Sequence, residues 1–386
     1  MAAARGAAPL FVGVMSGTSL DGIDVVLAEL PQQGPRVRHA RTFPYDDAFR
    51  ATLAELCRAR LVDLEILCAV DVELGDQIGA AVLALLEEAA VSPRSIEAIG
   101  CHGQTVRHAP RHARSPFTLQ IGDPNRIAEH TGITVVADFR RRDLAAGGEA
   151  APLVPAFHAA VFGDGKARAV LNVGGMANLT LLGPAAAGGS RTREIGGFDT
   201  GPGNVLIDAW AQRHLQRPWD DGGAWAAQGL VDEALLTRLL ADPWFAEPPP
   251  KSTGREHFHE AWLEARMDRP VAPASVAATL TELTARTAAD ALRDHACLAV
   301  EELLVCGGGR HNRLLMDRLA AALPEVEVTT TDSRGVDGDW LEGLAFAWLA
   351  QQRLAGRAGN VPAVTGARGE RVLGGVWAGR PGGPED

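Results

Sequence analysis

The sequence predicts an α/β protein built as two domains with a cleft between them. Three observations carry that expectation. At 386 residues the chain is too long for one ordinary core and suits two domains of typical size. Apolar strand-like runs alternate with helical patterns along its length. Two segments, FVGVMSGTSLDGIDVVLAEL and AVLNVGGMANLTLL, each read strand, glycine-rich reversal, strand, so each half opens on a similar hairpin.

In chain order, strands are expected over LFVGVM, IDVVLAEL, IEAIGC, FTLQI, ITVVAD, ARAVLNVG, NLTLLG, EELLVCG and VEVTT, all apolar runs bounded by turn residues. Helices are expected over 63–90, 152–162, 204–216, 230–241, 275–295, 310–322 and 340–355. Between 275 and 295, for example, Val276, Leu280, Leu283 and Leu292 keep helical spacing around a polar face. GPAAAGGSRTRE (183–194) and DPWFAEPPPKSTGRE (242–256) read as surface loops.

Composition excludes several classes. No run approaches the roughly 18 apolar residues that span a bilayer, and PLFVGVM is too short for a secretory core, so no membrane role and a cytoplasmic home are expected. A net charge of −11 argues against nucleic acid as a partner. Cys57, Cys68, Cys101, Cys297 and Cys306 form no C-x-x-C pair, and are expected as reduced core thiols. Of 37 basic residues all but Lys166 and Lys251 are arginine. Neither lysine sits in G-x-x-x-x-G-K-[ST] or in a kinase strand motif, so a P-loop and a protein kinase are both ruled out.

Glycine-rich reversals bind phosphate through backbone N–H groups and need no lysine. In MSGTSLDGID the hydroxyls of Ser16, Thr18 and Ser19 add donors, and Asp21 or Asp24 suits a hydrated Mg2+. A hairpin turn that merely satisfies its own backbone explains one such segment equally well. Two hairpins together with LLVCGGGRHN, which runs strand, GGG, helix, favour nucleotide binding. GGFDTGPGN places Asp199 in a loop before a helix starting near Asn204, where its carboxylate can face a ligand at the helix N-terminus or simply cap the turn. His102 follows IEAIGC at a strand's carboxyl end, where α/β ligands bind, while His108 and His112 read as solvated. Asp138 and the run Arg140, Arg141, Arg142 follow ITVVAD, with one acid and one arginine expected to face the cleft.

MSGTSLDGID, GCHGQTVRH, TLQIGDP, VVADFRRRDLAAGG, APLVPAFH, NVGGMANLT, GFDTGPGN, CGGGRHN and EGLAFAWLA occur in the order characteristic of bacterial anhydro-N-acetylmuramic acid kinases, and the chain resembles that family from about residue 11 to 377. The resemblance implies two actin-like (ribonuclease H-like) domains flanking a nucleotide cleft. It places the first at 1–142, with 357–386 packing back on it, and the second at 143–356. It implies ATP-dependent conversion of 1,6-anhydro-N-acetylmuramic acid to N-acetylmuramic acid 6-phosphate in cell-wall recycling, with ATP and Mg2+ required and a homodimer favoured.

By position, Asp199 resembles the catalytic base. Gly17, Thr18, Ser19, Leu20, Asp21, Gly22, Ile23 and Asp24 would bind ATP phosphates, with Gly174, Gly175 and Asn178 as the second grip. Gly307, Gly308, Gly309 and Asn312 would border the adenosine. His102, Gln120, Asp138, Arg140 and Glu342 are the sugar-side residues, and Asp21 and Asp24 the metal-side ones. The chain departs from the family pattern at Glu149 and Ala150, where Gln and Gly are commoner, and at Gly343, where Ala is. The alternatives are a kinase of this fold for another sugar, revealed by activity on a plain hexose, and a non-catalytic nucleotide switch, revealed by ATP binding without sugar-stimulated ADP release.

Overall fold

The computed structural model describes residues 8–17, 20–31, 34–184, 194–296 and 299–380. The chain forms two compact units, one from 1–161 with 340–386 and the other from 162–339. In the first, β1 (Leu10–Ser16), β2 (Gly22–Glu29) and β3 (Arg36–Pro44) make an antiparallel meander, followed by α1 (Asp47–Arg58) and α2 (Leu64–Glu88). Next, β4 (Ile96–Ala109) pairs parallel to β1, and β5 (Phe117–Ile121) folds back on it. Then α3 (Pro124–Thr131) leads to β6 (Val135–Ala137), parallel to β4. Helices α4 (Arg141–Ala145) and α5 (Val154–Phe162) follow.

The second unit repeats the scheme. Strands β7 (Arg168–Val173), β8 (Met176–Leu182) and β9 (Ile195–Pro202) form a meander. Helices α6 (Val205–Leu215), α7 (Glu233–Leu240), α8 (Glu260–Glu264) and α9 (Pro273–His295) come next. After them β10 (Glu302–Cys306) lies parallel to β7, and α10 (Arg313–Ala322) precedes β11 (Glu327–Thr330), parallel to β10. The chain returns to the first unit through α11 (Leu341–Leu354), α12 (Pro362–Thr365) and β12 (Gly375–Trp377). Strand order is β12-β6-β4-β1-β2-β3 in one sheet and β11-β10-β7-β8-β9 in the other. Each sheet therefore sets a meander beside parallel strands in one and the same order, the ribonuclease H-like arrangement of actin-like domains.

Central strand β1 is buried on both faces, as a parallel pairing requires. One face packs on α2, where Val70, Leu74, Ile78, Val82 and Leu85 recur at helical spacing against Val12, Val14, Val25 and Leu27. The other lies under α11 at glycine contacts, since a side chain at Gly13 would collide with the Gly343 carbonyl and one at Gly100 with that of Phe346. The Phe157 ring of α5 meets Trp348 of α11 at 6.0 Å. These contacts draw α5 and α11 into the first unit, so its limits fall at 161/162 and 339/340 instead of the expected 142/143 and 356/357. In the second unit α9 lays Ala285, Ala288, Ala289 and Leu292 on Ala169, Leu171, Val173 and Leu179 of the sheet.

The sequence reading leaves 36–44, 47–58, 124–131 and 195–202 without elements. Strands β3 and β9 both close a sheet edge. There, pairing with one neighbour sustains sequences as polar as RVRHARTFP or as glycine-rich as IGGFDTGP. Cys101 and Cys306 are buried and Cys57 half-buried, but Cys68 is an exposed thiol of α2, contrary to expectation; Cys297 lies outside the described residues. Among the described residues no helix is long and apolar enough to cross a membrane.

Candidate active site

The carboxyl ends of parallel strands gather the polar residues of each unit, where α/β proteins bind ligands. In the first unit the β1–β2 reversal spans Gly17 to Asp21, with Leu20 at φ +58° and its N–H donating to the Gly17 carbonyl at 3.3 Å. Thr18 and Ser19 lie outside the described residues. Gly22 is pressed on β3, where a side chain would strike the Phe43 carbonyl. Ile23 is a core residue, so only its backbone can serve a ligand. Ser16, expected as a phosphate donor, is instead buried. Its hydroxyl donates to Gln104 Oε1 at 2.6 Å and accepts from the Tyr45 hydroxyl at 2.7 Å. Asp24 is half-buried on β2 and accepts from Thr42 Oγ1 at 2.5 Å, while Asp21 is exposed at the reversal.

His102 lies inside β4 and not beyond its end, buried 4.7 Å from the Phe346 ring. Its Nδ1 donates to the Gly103 carbonyl at 2.8 Å and its Nε2 accepts from Arg140 Nε at 2.9 Å. Burial, and then the Arg140 charge, hold it well below the ordinary histidine range, so the ring is neutral in one tautomer. Arg140 also donates to the Ala150 carbonyl at 2.6 Å; burial brings its pKa down to about 10 against the pull of Glu342 and Asp143. Its donors thus serve the interior of the unit. His108, expected in a loop, belongs to β4; its Nδ1 meets Thr118 Oγ1 at 3.1 Å and burial lowers its pKa to about 4.

His102, Gln120 and Asp138 line one cavity of about 260 Å3 in this unit, together with Arg141, Asp71 and Trp377. Asp138 stands at φ +54°, its pKa raised by burial and opposed by Arg141 at 3.6 Å. The arginine presented to the cavity is therefore Arg141. Behind it, fully buried Asp143 accepts from the Ala150 N–H at 2.9 Å, Asn360 Nδ2 at 2.7 Å and the Thr365 hydroxyl at 2.8 Å. Glu149 accepts from Arg111 Nε at 2.7 Å.

In the second unit Gly174 and Gly175 turn β7 into β8. Their carbonyls accept from Asn204 N–H at 2.8 Å and from Gly203 and Val205 N–H at 2.9 and 3.1 Å. These three amides at the start of α6 are thus committed to the reversal. The GGG element packs on the same reversal: side chains at Gly307 and Gly309 would collide with Asn172 and Val173, whereas Gly308 faces only Asn204 Nδ2 at 3.8 Å. Asn312 Oδ1 caps α10 through the Leu315 N–H at 3.0 Å.

Asp199 is not in a loop. It lies on β9 opposite Asn178, beside a register shift that leaves Thr200 unpaired. Bulges of this kind re-aim side chains near active sites. Its N–H donates to the Lys251 carbonyl at 3.1 Å and its Oδ2 accepts the Thr253 N–H at 2.9 Å. The Pro-rich 242–256 stretch is accordingly no simple surface loop, with Asp242, Trp244 and Lys251 buried. Sequence reasoning missed 251–253 as part of the site; the one available signal was an isolated lysine after a run of prolines.

Two α/β units of one topology, each with a lysine-free glycine reversal at its strand ends, define the actin-like fold class. The family model described as anhydro-N-acetylmuramic acid kinase matches residues 9–379. A protein named anhydro-N-acetylmuramic acid kinase from Chromohalobacter salexigens is 50% identical over 375 residues, covering 96% of this chain and 100% of that protein. The chain belongs to the anhydro-N-acetylmuramic acid kinase family. Among solved structures, component A of the Acidaminococcus fermentans (R)-2-hydroxyglutaryl-CoA dehydratase is 12% identical with a TM-score of 0.46, over 87% of this chain and 96% of that one. A glucokinase of the ROK family from Streptomyces griseus, in complex with glucose and AMPPNP, is 15% identical with a TM-score of 0.40, over 89% and 99%.

Proposed function

We propose that the protein uses ATP and water to open the 1,6-anhydro ring of 1,6-anhydro-N-acetylmuramic acid and phosphorylates O6. The products are N-acetylmuramic acid 6-phosphate and ADP, in peptidoglycan recycling. The observation that carries this reading is the family match along the whole chain, with half of all residues shared with a kinase of that name.

Asp199 is the base. The backbone bond from Thr253 orients its carboxylate, which takes a proton from the water attacking the anomeric carbon as the bond from that carbon to O6 breaks. The released O6 then attacks the γ-phosphorus and ADP leaves. Such a transfer is governed by positioning and charge and asks little covalent help of the protein. Backbone amides of the Gly17–Asp24 and Gly174–Asn178 reversals hold the phosphates, and Gly307 to Gly309 border the adenosine, with room left at Gly308. Gln120, Asp138 and Arg141 bind the sugar, while His102, its two ring nitrogens engaged by the Gly103 carbonyl and Arg140, lines the same cavity, and Glu342 acts on the Arg140 charge.

Among the described residues no three His, Cys, Asp or Glu side chains gather as a metal cage. That fits Mg2+, which keeps several waters and is held mainly by substrate phosphates, with one protein carboxylate. Exposed Asp21 suits that contact better than Asp24, already bonded to Thr42. When bound, Mg2+ would neutralise charge on the transferred phosphoryl group. A cytoplasmic homodimer completes the reading.

The test is ADP release with the anhydrosugar as acceptor. Asp199→Asn is expected to lower turnover by roughly 100- to 10,000-fold while ATP still binds. Full turnover in that variant would refute the role of Asp199.

A further inference from the structure

Lys251 is one of two lysines in a chain that otherwise uses arginine, and it is buried to 5% exposure. Its Nζ donates to the Phe245 carbonyl at 2.9 Å and lies 4.5 Å from the centre of the Trp244 ring. One carbonyl and one aromatic face suit a compact ammonium; a guanidinium would bring five donors to the same place. The segment that builds this seat is itself anchored. Asp242 accepts from Trp244 N–H at 3.0 Å, Trp262 Nε1 at 2.7 Å, Arg266 Nη2 at 2.7 Å and His257 Nε2 at 3.2 Å. Phe245 in turn packs on Gly201, where a Cβ would come within 2.8 Å of its ring. From Lys251 the backbone continues directly into the two bonds that hold Asp199.

We propose that Lys251 is a positioning residue for Asp199: its seated ammonium fixes the 251–253 backbone against β9 and supplies the positive field in which Asp199 remains a carboxylate. This rests on Asp199 being the base of the proposed reaction. The groups in that field can be named. The loop supplies Lys251 and Glu247, α9 supplies Asp294, and β8 supplies uncharged Asn178, while His295 packs on the Phe198 ring at 5.0 Å. Burial pushes the Lys251 ammonium below the ordinary lysine value, while Glu247, Asp199 and Asp294 pull it back. Lys251 is the cation these groups share with Asp199, and removing it leaves Glu247 and Asp294, two carboxylates that raise the proton affinity of Asp199.

The experiment is the pH profile of kcat for ADP release with the anhydrosugar, in wild type, Lys251→Met and Lys251→Gln. Loss of the cation should move the acid limb upward by about one pH unit. It should also lower kcat at neutral pH by at least about 10-fold, with KM for ATP and sugar changed less than kcat. Lys251→Gln can still donate to the Phe245 carbonyl and carries the test if Lys251→Met does not fold. A folded variant whose acid limb stays in place, or whose kcat is undiminished, overturns the proposal. An inactive Asp199→Asn beside an undisturbed Lys251 variant would sink only the role of the lysine; an active Asp199→Asn would sink the base itself.

Discussion

Replacement of Asp143 by alanine puts the framework behind the sugar-side residues to a direct test. The carboxylate is fully buried and accepts three hydrogen bonds, from the backbone of Ala150 and the side chains of Asn360 and Thr365. Two of those donors have fallbacks, since Asn360 Nδ2 also reaches the Gly369 carbonyl at 3.3 Å and the Thr365 hydroxyl the Val361 carbonyl at 3.5 Å. The Ala150 N–H is left facing a void. A buried donor stripped of its partner costs about 1–3 kcal/mol, and bonds to a charged acceptor contribute about 1.5–3 kcal/mol each. With partial compensation at two of the three, the expected loss is about 3–5 kcal/mol.

Asp143→Asn is not a mild substitute, because its NH2 group must face either Ala150 N–H or the Asn360 and Thr365 donors. It should lose at least about 2 kcal/mol. Two units in one chain make a single unfolding free energy ambiguous. The assay is therefore urea denaturation together with amide hydrogen exchange read over 144–150 and 360–368, where protection should fall first. A loss below about 1 kcal/mol with unchanged exchange in those segments would refute the assignment of Asp143 as their common anchor.

Gly343→Ala brings a methyl group within 2.6 Å of Val26 Cγ2 under α11. It should cost about 1–3 kcal/mol by thermal or urea unfolding, and an unchanged midpoint would show that the helix has room to move. Burial holds His108 at about 4 in the folded protein against the ordinary 6.5. Because the folded value lies below the unfolded one, this contribution is complete above pH 6.5 and is lost as pH falls toward 4, by up to about 3 kcal/mol. Urea midpoints followed downward from neutral pH should decline less steeply in His108→Gln than in wild type, and parallel declines would contradict the assignment.

Legibility in the sequence followed how each element is stabilised. Both hairpins could be read because β1, β2, β7 and β8 are buried strands whose apolar runs stop at glycines. β9 could not. Its residues Gly196, Gly197 and Gly201 read as a loop, and its pairing with β8 is a tertiary contribution that no local pattern records. The same cause misplaced His102 and His108, since β4 continues through polar residues only because β5 pairs with its second half. Asp199 was found through its motif, but its hydrogen-bond partners lie about fifty residues onward in a stretch that composition alone marks as a surface loop. The distinction between Arg140 and Arg141 needed the positions of His102 and Ala150, which are separated from the arginines in sequence.

The route of the chain through its two units bears on how the protein is made. Residues 162–339 form their unit from one continuous stretch, so everything it requires has been synthesised before α11 is translated. The other unit has β1 to β6 ready early, yet one face of β1 and β4 stays uncovered until residues 341–354 arrive, and β6 waits longer still for β12. On the ribosome the later-encoded unit is thus positioned to fold first, and the earlier-encoded one passes through a half-roofed sheet with Gly13 and Gly100 open to solvent. That interval is when a chaperone would find its binding surface.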